Sequence, residues 1–145
     1  AWHHEVRRTR GVVPGPQREW DAEELLWRIA DPAHDYQVLI SDDVLAVAHA
    51  TSYHGLRVAV IVKVFVRDPT VSINITHVAT AACKALRAPM ALYAGLNPNL
   101  RLRGLKIPTR LRPSPLNLIV KSLVEDMKPS ELVPDWFEFL DFDAY

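Results

Sequence analysis

Glycine is scarce and unevenly placed in this chain: five residues in 145, with none between Gly55 and Gly95. Loops in that stretch must be built without the residue that best tolerates left-handed backbone or close approach to a ligand. Cysteine is rarer still. Cys83 stands alone, which excludes an internal disulfide and fits a reducing compartment, so a cytoplasmic setting is expected. No apolar run approaches the ~20 residues that span a bilayer, and no signal-peptide pattern opens the chain, so no membrane partner is expected. Net charge is absent, with 17 Lys and Arg against 17 Asp and Glu. That removes the whole-molecule field that would argue for nucleic acid, and no nucleic-acid partner is expected. Gly-x-Ser-x-Gly, Walker and dinucleotide fingerprints are missing. Metal ligands do not cluster: His3 and His4 are adjacent, and His49 and His54 lack a third partner. No metal site is expected.

What remains is an ordinary globular balance, 49% hydrophobic and 23% charged, in a length suited to one domain. The chain opens on Ala1-Trp2 without methionine and reads as the C-terminal piece of a longer polypeptide. Charge is polarised locally. Arg7, Arg8, Arg10 and Arg18 make the start basic, Arg101, Arg103, Lys106, Arg110 and Arg112 form a second basic stretch, and acids dominate from Glu125 onward. Such polarity offers either a phosphate site on one side or two solvated faces in weak attraction.

Residues 1–20 carry Gly11-Val-Val-Pro14-Gly-Pro16 and no periodicity, which predicts a basic arm or linker. Asp21, with Glu24 three residues on, predicts a capped helix ending before Pro32, with Leu25, Leu26 and Ile29 packed on a sheet. Tyr36–Ile40, Val44–Thr51 and Arg57–Val66 are apolar runs joined by Ser41-Asp-Asp43 and His54-Gly55, an antiparallel meander. The alanine-rich run Ile75–Leu86 predicts a crossover helix, and Met90–Ala94 a strand parallel to the third run, diverging near Val66. Asn97-Pro98-Asn99 begins a turn or short helical piece ending at Gly104. Leu116–Val124 suits strand or helix, strand being favoured because Trp136–Phe142 reads as a strand able to pair with it. Lys63 interrupts the third run and either snorkels from an edge or faces a cavity. Cys83 reads as buried core. The fold class is therefore α/β in the α+β sense, with a mixed central sheet in one domain over 21–145. No strand precedes Asp21, so an open sheet edge or apolar groove is expected beside Tyr36–Ile40, covered by a neighbouring domain, a second copy or the arm.

Three phrases carry a family likeness: Trp27-Arg-Ile-Ala-Asp-Pro32 before the first strand, Val64-Phe-Val-Arg-Asp-Pro69 at the strand-to-helix switch, and Leu105-Lys-Ile-Pro108 after Gly104. With the element order they resemble the GCN5-related N-acetyltransferase (GNAT) fold. The ending, Asp135-Trp-Phe137 with Leu140-Asp-Phe-Asp143, resembles those of two-module or polysaccharide-associated members. The resemblance spans about residues 21–145 and implies a domain lacking the first strand and helix of a complete fold.

The resemblance further implies acetyl-CoA as cofactor, in the splay between the third and parallel strands. Pantetheine would lie along Phe65 and Val66, phosphates would meet the amides of Asn74, Ile75, Thr76 and His77 at the helix N-terminus, and Asn97 would form the opposite wall. Acyl transfer to a small amine or amino sugar is the implied reaction, with Tyr93 or His77 as proton-transfer candidates. For each of these two, packing or plain surface exposure is the competing reading, as a turn role is for Asn97. The chain departs from the family pattern at the phosphate loop, where Ser72, Asn74 and Thr76 replace glycines. It departs again at Leu100, where a tyrosine acid is usual. Two functions stay open: an acyl-CoA-dependent N-acyltransferase, or a non-catalytic interaction or dimerisation module of the same architecture.

Overall fold

The computed structural model describes residues 20–108 and 136–141. Of the arm expected over 1–20, residues 1–19 lie outside them, as does the run 116–124, while Trp20 belongs to the core instead, buried beside Leu25 and Phe65. Helix α1 spans Ala22–Ile29, and Asp21 caps it by accepting from the Glu24 amide at 2.7 Å. Leu25 is buried and Ile29 packs beside it. Leu26, expected on the same face, is 56% exposed: positions 25 and 29 stack one turn apart, and position 26 is rotated about 100° from 25.

Strands β1 (Tyr36–Ile40), β2 (Val44–Tyr53) and β3 (Leu56–Val66) form the expected meander. The β2–β3 turn places both His54 and Gly55 at positive φ, +49° and +80°, which a two-residue hairpin connection requires. Helix α2 (Ile75–Leu86) follows, capped by the Asn74 side chain on the Thr76 amide at 3.1 Å and closed by Arg87 in the left-handed region. Ile75, Val78, Ala82 and Leu86 recur at helical spacing and are buried against the sheet. Cys83 sits beside that stripe and is only partly buried, against the fully buried position expected.

Strand β5 (Met90–Tyr93) runs parallel to β3, from Val58↔Met90 to Ile61↔Tyr93, in a mixed sheet of order β1-β2-β3-β5. The chain is thus an α+β fold with both antiparallel and parallel pairing. Pairing of β3 with β5 ends at Ile61↔Tyr93, where β5 itself ends, and β3 carries an irregularity just beyond that point. Its register with β2 steps from Val47↔Lys63 to Ala48↔Ile61, leaving Val62 as an extra residue in a bulge. Before the bulge, Ala59 and Ile61 face α2. After it, Val64 and Val66 do, while Val60, Val62 and Phe65 face the second apolar cluster with Trp20, Leu25 and Leu140. The parity flip turns Lys63 onto this second face.

Short pairings complete the fold. β4 (Ile73–Asn74) runs parallel with β7 (Leu100–Arg101), and β6 (Gly95–Leu96) antiparallel with β8 (Phe137–Glu138). Residues 97–104 contain no helix; Pro98 lies in a turn and Leu100 pairs with Ile73. The strand expected over 136–142 is confined to β8, because the chain coils into a 3-10 turn at Phe139–Asp141. The Glu138 amide donates to Asp141 Oδ2 at 2.7 Å, a local bond that competes with strand continuation. Among the described residues no helix is long and apolar enough to cross a membrane.

Replacing Asp21 by Ala should cost about 1 kcal/mol through loss of the cap, and replacement by Asn almost nothing. Urea denaturation of both variants checks this; equal losses would assign the effect to charge alone.

Candidate functional site

The Val64 amide and carbonyl lie beyond the end of the parallel ladder, which stops at Ile61↔Tyr93. Both are satisfied from within the chain. The Val64 N–H donates to Glu138 Oε1 at 3.2 Å, and Asn97 Nδ2 donates to the Val64 carbonyl at 3.1 Å. Asn97 is held in turn, its Oδ1 accepting from the Asn99 amide at 3.0 Å. Gly95 allows this closure, because a Cβ there would meet the Phe137 carbonyl at 2.7 Å and Glu138 Cα at 2.9 Å. The backbone of β6 and β8 can come this close only at glycine.

Glu138 belongs to a buried polar cluster centred on Lys63. The Lys63 ammonium donates to both oxygens of Asp141, at 2.9 and 2.8 Å, and lies 3.3 Å from Glu138 Oε2. Trp20 Nε1 donates to Asp141 Oδ1 at 2.6 Å, Trp136 Nε1 to Glu138 Oε2 at 2.8 Å, and the Tyr93 hydroxyl to Glu138 Oε1 at 3.1 Å. The rings of Trp20, Phe65 and Trp136 surround the ammonium at 5.7, 5.6 and 5.1 Å, within cation–π range. Lys63 is 2% exposed and Glu138 fully buried. Neither expectation for Lys63 holds: it reaches neither an edge nor an open cavity, but a saturated ion-pair network.

Two carboxyl groups share one ammonium here, and geometry divides them. Lys63 engages Asp141 through both oxygens and Glu138 through one longer contact. Burial accordingly pushes the Glu138 carboxyl above its ordinary range. Lys63 and the hydrogen bonds from Trp136 and Asn97 pull it down by less, and Asp141 adds to the rise. Burial and the neighbouring Glu138 charge likewise hold the Tyr93 phenol far above its ordinary range, so Tyr93 stays protonated and donating.

The residues implied for a coenzyme site fall in separate places. Phe65 and Val66 are 2% and 1% exposed. Asn74 uses its side chain to cap α2, Ile75 is buried in the core, and Thr76 and His77 are exposed on the first turn. His77 lines a groove of about 270 Å³ with Leu39, Ile40, Val44, Ile73 and Val78. Tyr93 is tied into the Lys63 cluster, so the two proton-transfer candidates do not meet. Asn97 does reach β3 beyond the parallel ladder, where it bonds the strand itself. In the second basic stretch, Arg101 Nε donates to Ser72 Oγ at 3.1 Å, and Arg103 and Lys106 are exposed. Among the described residues no group of three His, Cys, Asp or Glu gathers as metal ligands.

Trp20, Trp136, Glu138 and Asp141 were missed as site residues. Their signal was present in Lys63, a lone charge in a β-branched run, and in two acids within an aromatic segment near the other end of the chain. The chain matches no protein-family model, and neither a curated protein nor a solved structure is similar to it.

Replacing Lys63 by Met should cost about 3–5 kcal/mol, since it leaves buried carboxyl groups without their cation. Glu138 titration has the opposite pH sense to a usual ion-pair acid. Its folded form holds the proton more strongly, so its contribution is complete below the ordinary Glu range, near 4.3. That contribution is lost as pH rises toward the folded value. Denaturant titrations from pH 4 to 8 should show Glu138→Gln flattening this decline; an unchanged slope would refute the assignment.

Proposed function

We propose that this chain is a non-catalytic interaction module with the sheet plan of the GCN5-related acyltransferases, without a working coenzyme A site. One observation carries the reading. The Val64 amide and carbonyl, the backbone groups beyond the parallel ladder that an extended pantetheine would need, are already bonded to Glu138 and Asn97. A ligand entering there would have to break both bonds and uncover a buried ion-pair network. The helix N-terminus supports the same reading: Asn74 already satisfies the Thr76 amide, and no glycine gives phosphate close access to the backbone.

The surface suits contact better than chemistry. β1 is an outer strand of the four-stranded sheet, its Val38 and Ile40 are 38% and 62% exposed, and the His77 groove opens beside it. An outer strand with apolar side chains is ordinarily covered, here by a neighbouring domain or a second copy.

Acetyl-CoA and a longer acyl thioester should give no saturable heat in calorimetry and no rise in melting temperature. A ligand at 100 times its dissociation constant would add ~2.7 kcal/mol, an effect large enough to see. Saturable binding with that stabilisation would overturn the proposal. It would restore acyl-CoA-dependent N-acyl transfer to an amine or amino sugar, with Tyr93 and His77 as the groups to mutate first.

A further inference from the structure

We propose that Lys63 and Asp141 form a side-chain amide bond, an autocatalytic isopeptide cross-link between the central strand and the C-terminal segment, with Glu138 as proton carrier. Three requirements for such a condensation meet in the cluster. The amine nitrogen lies within 2.9 Å of both Asp141 oxygens, so the carbon between them falls near the ~3–3.5 Å separation of a reactive encounter. Trp20 Nε1 donates to Oδ1, the oxygen on which charge develops in the tetrahedral intermediate, and the Glu138 amide donates to Oδ2, the oxygen that leaves. Glu138 Oε2 stands 3.3 Å from the nitrogen, within reach as proton acceptor once the nitrogen advances.

The atoms balance without a co-reactant. The ammonium gives one proton to Oδ2 of the Asp141 carboxylate, producing a neutral amine and a neutral acid. The amine swings over the face of the carboxyl on its own flexible stem, which leaves the bonds from Trp20 and the Glu138 amide in place. The Nζ–Cγ bond forms; the nitrogen passes a second proton to Glu138, which returns it to Oδ2. The Cγ–Oδ2 bond breaks and water leaves. The third proton stays as the amide N–H, and Oδ1 becomes a carbonyl still accepting from Trp20. Glu138 ends as it began. Its carboxyl, raised by burial, is suited to exchanging protons nearer neutrality than an exposed one.

The energetic direction follows from burial. Lys63 and Asp141 are 2% and 8% exposed among three aromatic rings, and an ion pair held there carries the desolvation cost of two charges. The amide removes both charges from the interior. It also closes a covalent loop across 78 sequence positions, restricting the unfolded chain as any long-range cross-link does.

Intact mass spectrometry of the full chain, purified in its folded form, is the test. The expected mass is that of the sequence less one water, and a protease digest should yield a branched peptide joining the segments that contain Lys63 and Asp141. Asp141→Asn should lose ammonia instead of water and give the same branch. Glu138→Gln, which keeps the shape but cannot carry the proton, should retain the full mass with its near-ultraviolet tryptophan signal preserved. A folded wild-type chain of full mass would overturn the proposal. So would a lost water that maps to a succinimide in a linear peptide, or a Glu138→Gln protein that cross-links as fast as the wild type.

Discussion

The fold depends on one side chain, that of Lys63. Lys63 draws together Asp141, Glu138, Trp20, Phe65 and Trp136, joining the start of the described chain, the middle strand and the C-terminal segment. Its placement is a consequence of the Val62 bulge. In a regular strand Lys63 would share a face with Ala59 and Ile61 against α2, where an unpaired charge would be prohibitive. The extra residue turns it to the opposite face, toward Trp20, Phe65 and Leu140.

The network is tightly satisfied. Asp141 accepts from Lys63, Trp20 and the Glu138 amide, and Glu138 from Trp136, Tyr93 and Val64. A buried ion pair adds little net stability relative to an apolar substitute, but losing one member leaves the others stranded. Its value here is specificity. The directional bonds of Glu138 and Asp141 fix the register of β8 and its 3-10 turn against β3.

Periodicity made the meander, both helices and the parallel return legible. The apolar runs, the Asp21 cap and the His54-Gly55 turn are local signals that tertiary packing did not override. The bulge was not legible, since Val62 is chemically like its neighbours and the extra residue exists only relative to β2. Hence the face that Lys63 takes is not readable from the sequence. The 3-10 turn was hidden for a related reason: Trp136–Asp141 alternates like a strand, and only the Asp141 bond to the Glu138 amide ends it. Tyr93 and Asn97 were singled out by position, yet their bonds to Glu138 and Val64 depend on a pairing between β6 and β8 that no local pattern encodes.

The seating of the C-terminal segment on β3 is tested most directly by amide hydrogen exchange at Val64. Its N–H lies beyond the parallel ladder, and Glu138 is its partner. If that carboxyl is seated as described, Val64 should exchange as slowly as the paired amides of β3, approaching the global unfolding limit. Exchange as fast as that of an exposed strand edge, in a chain whose β2–β3 amides remain protected, would contradict the account.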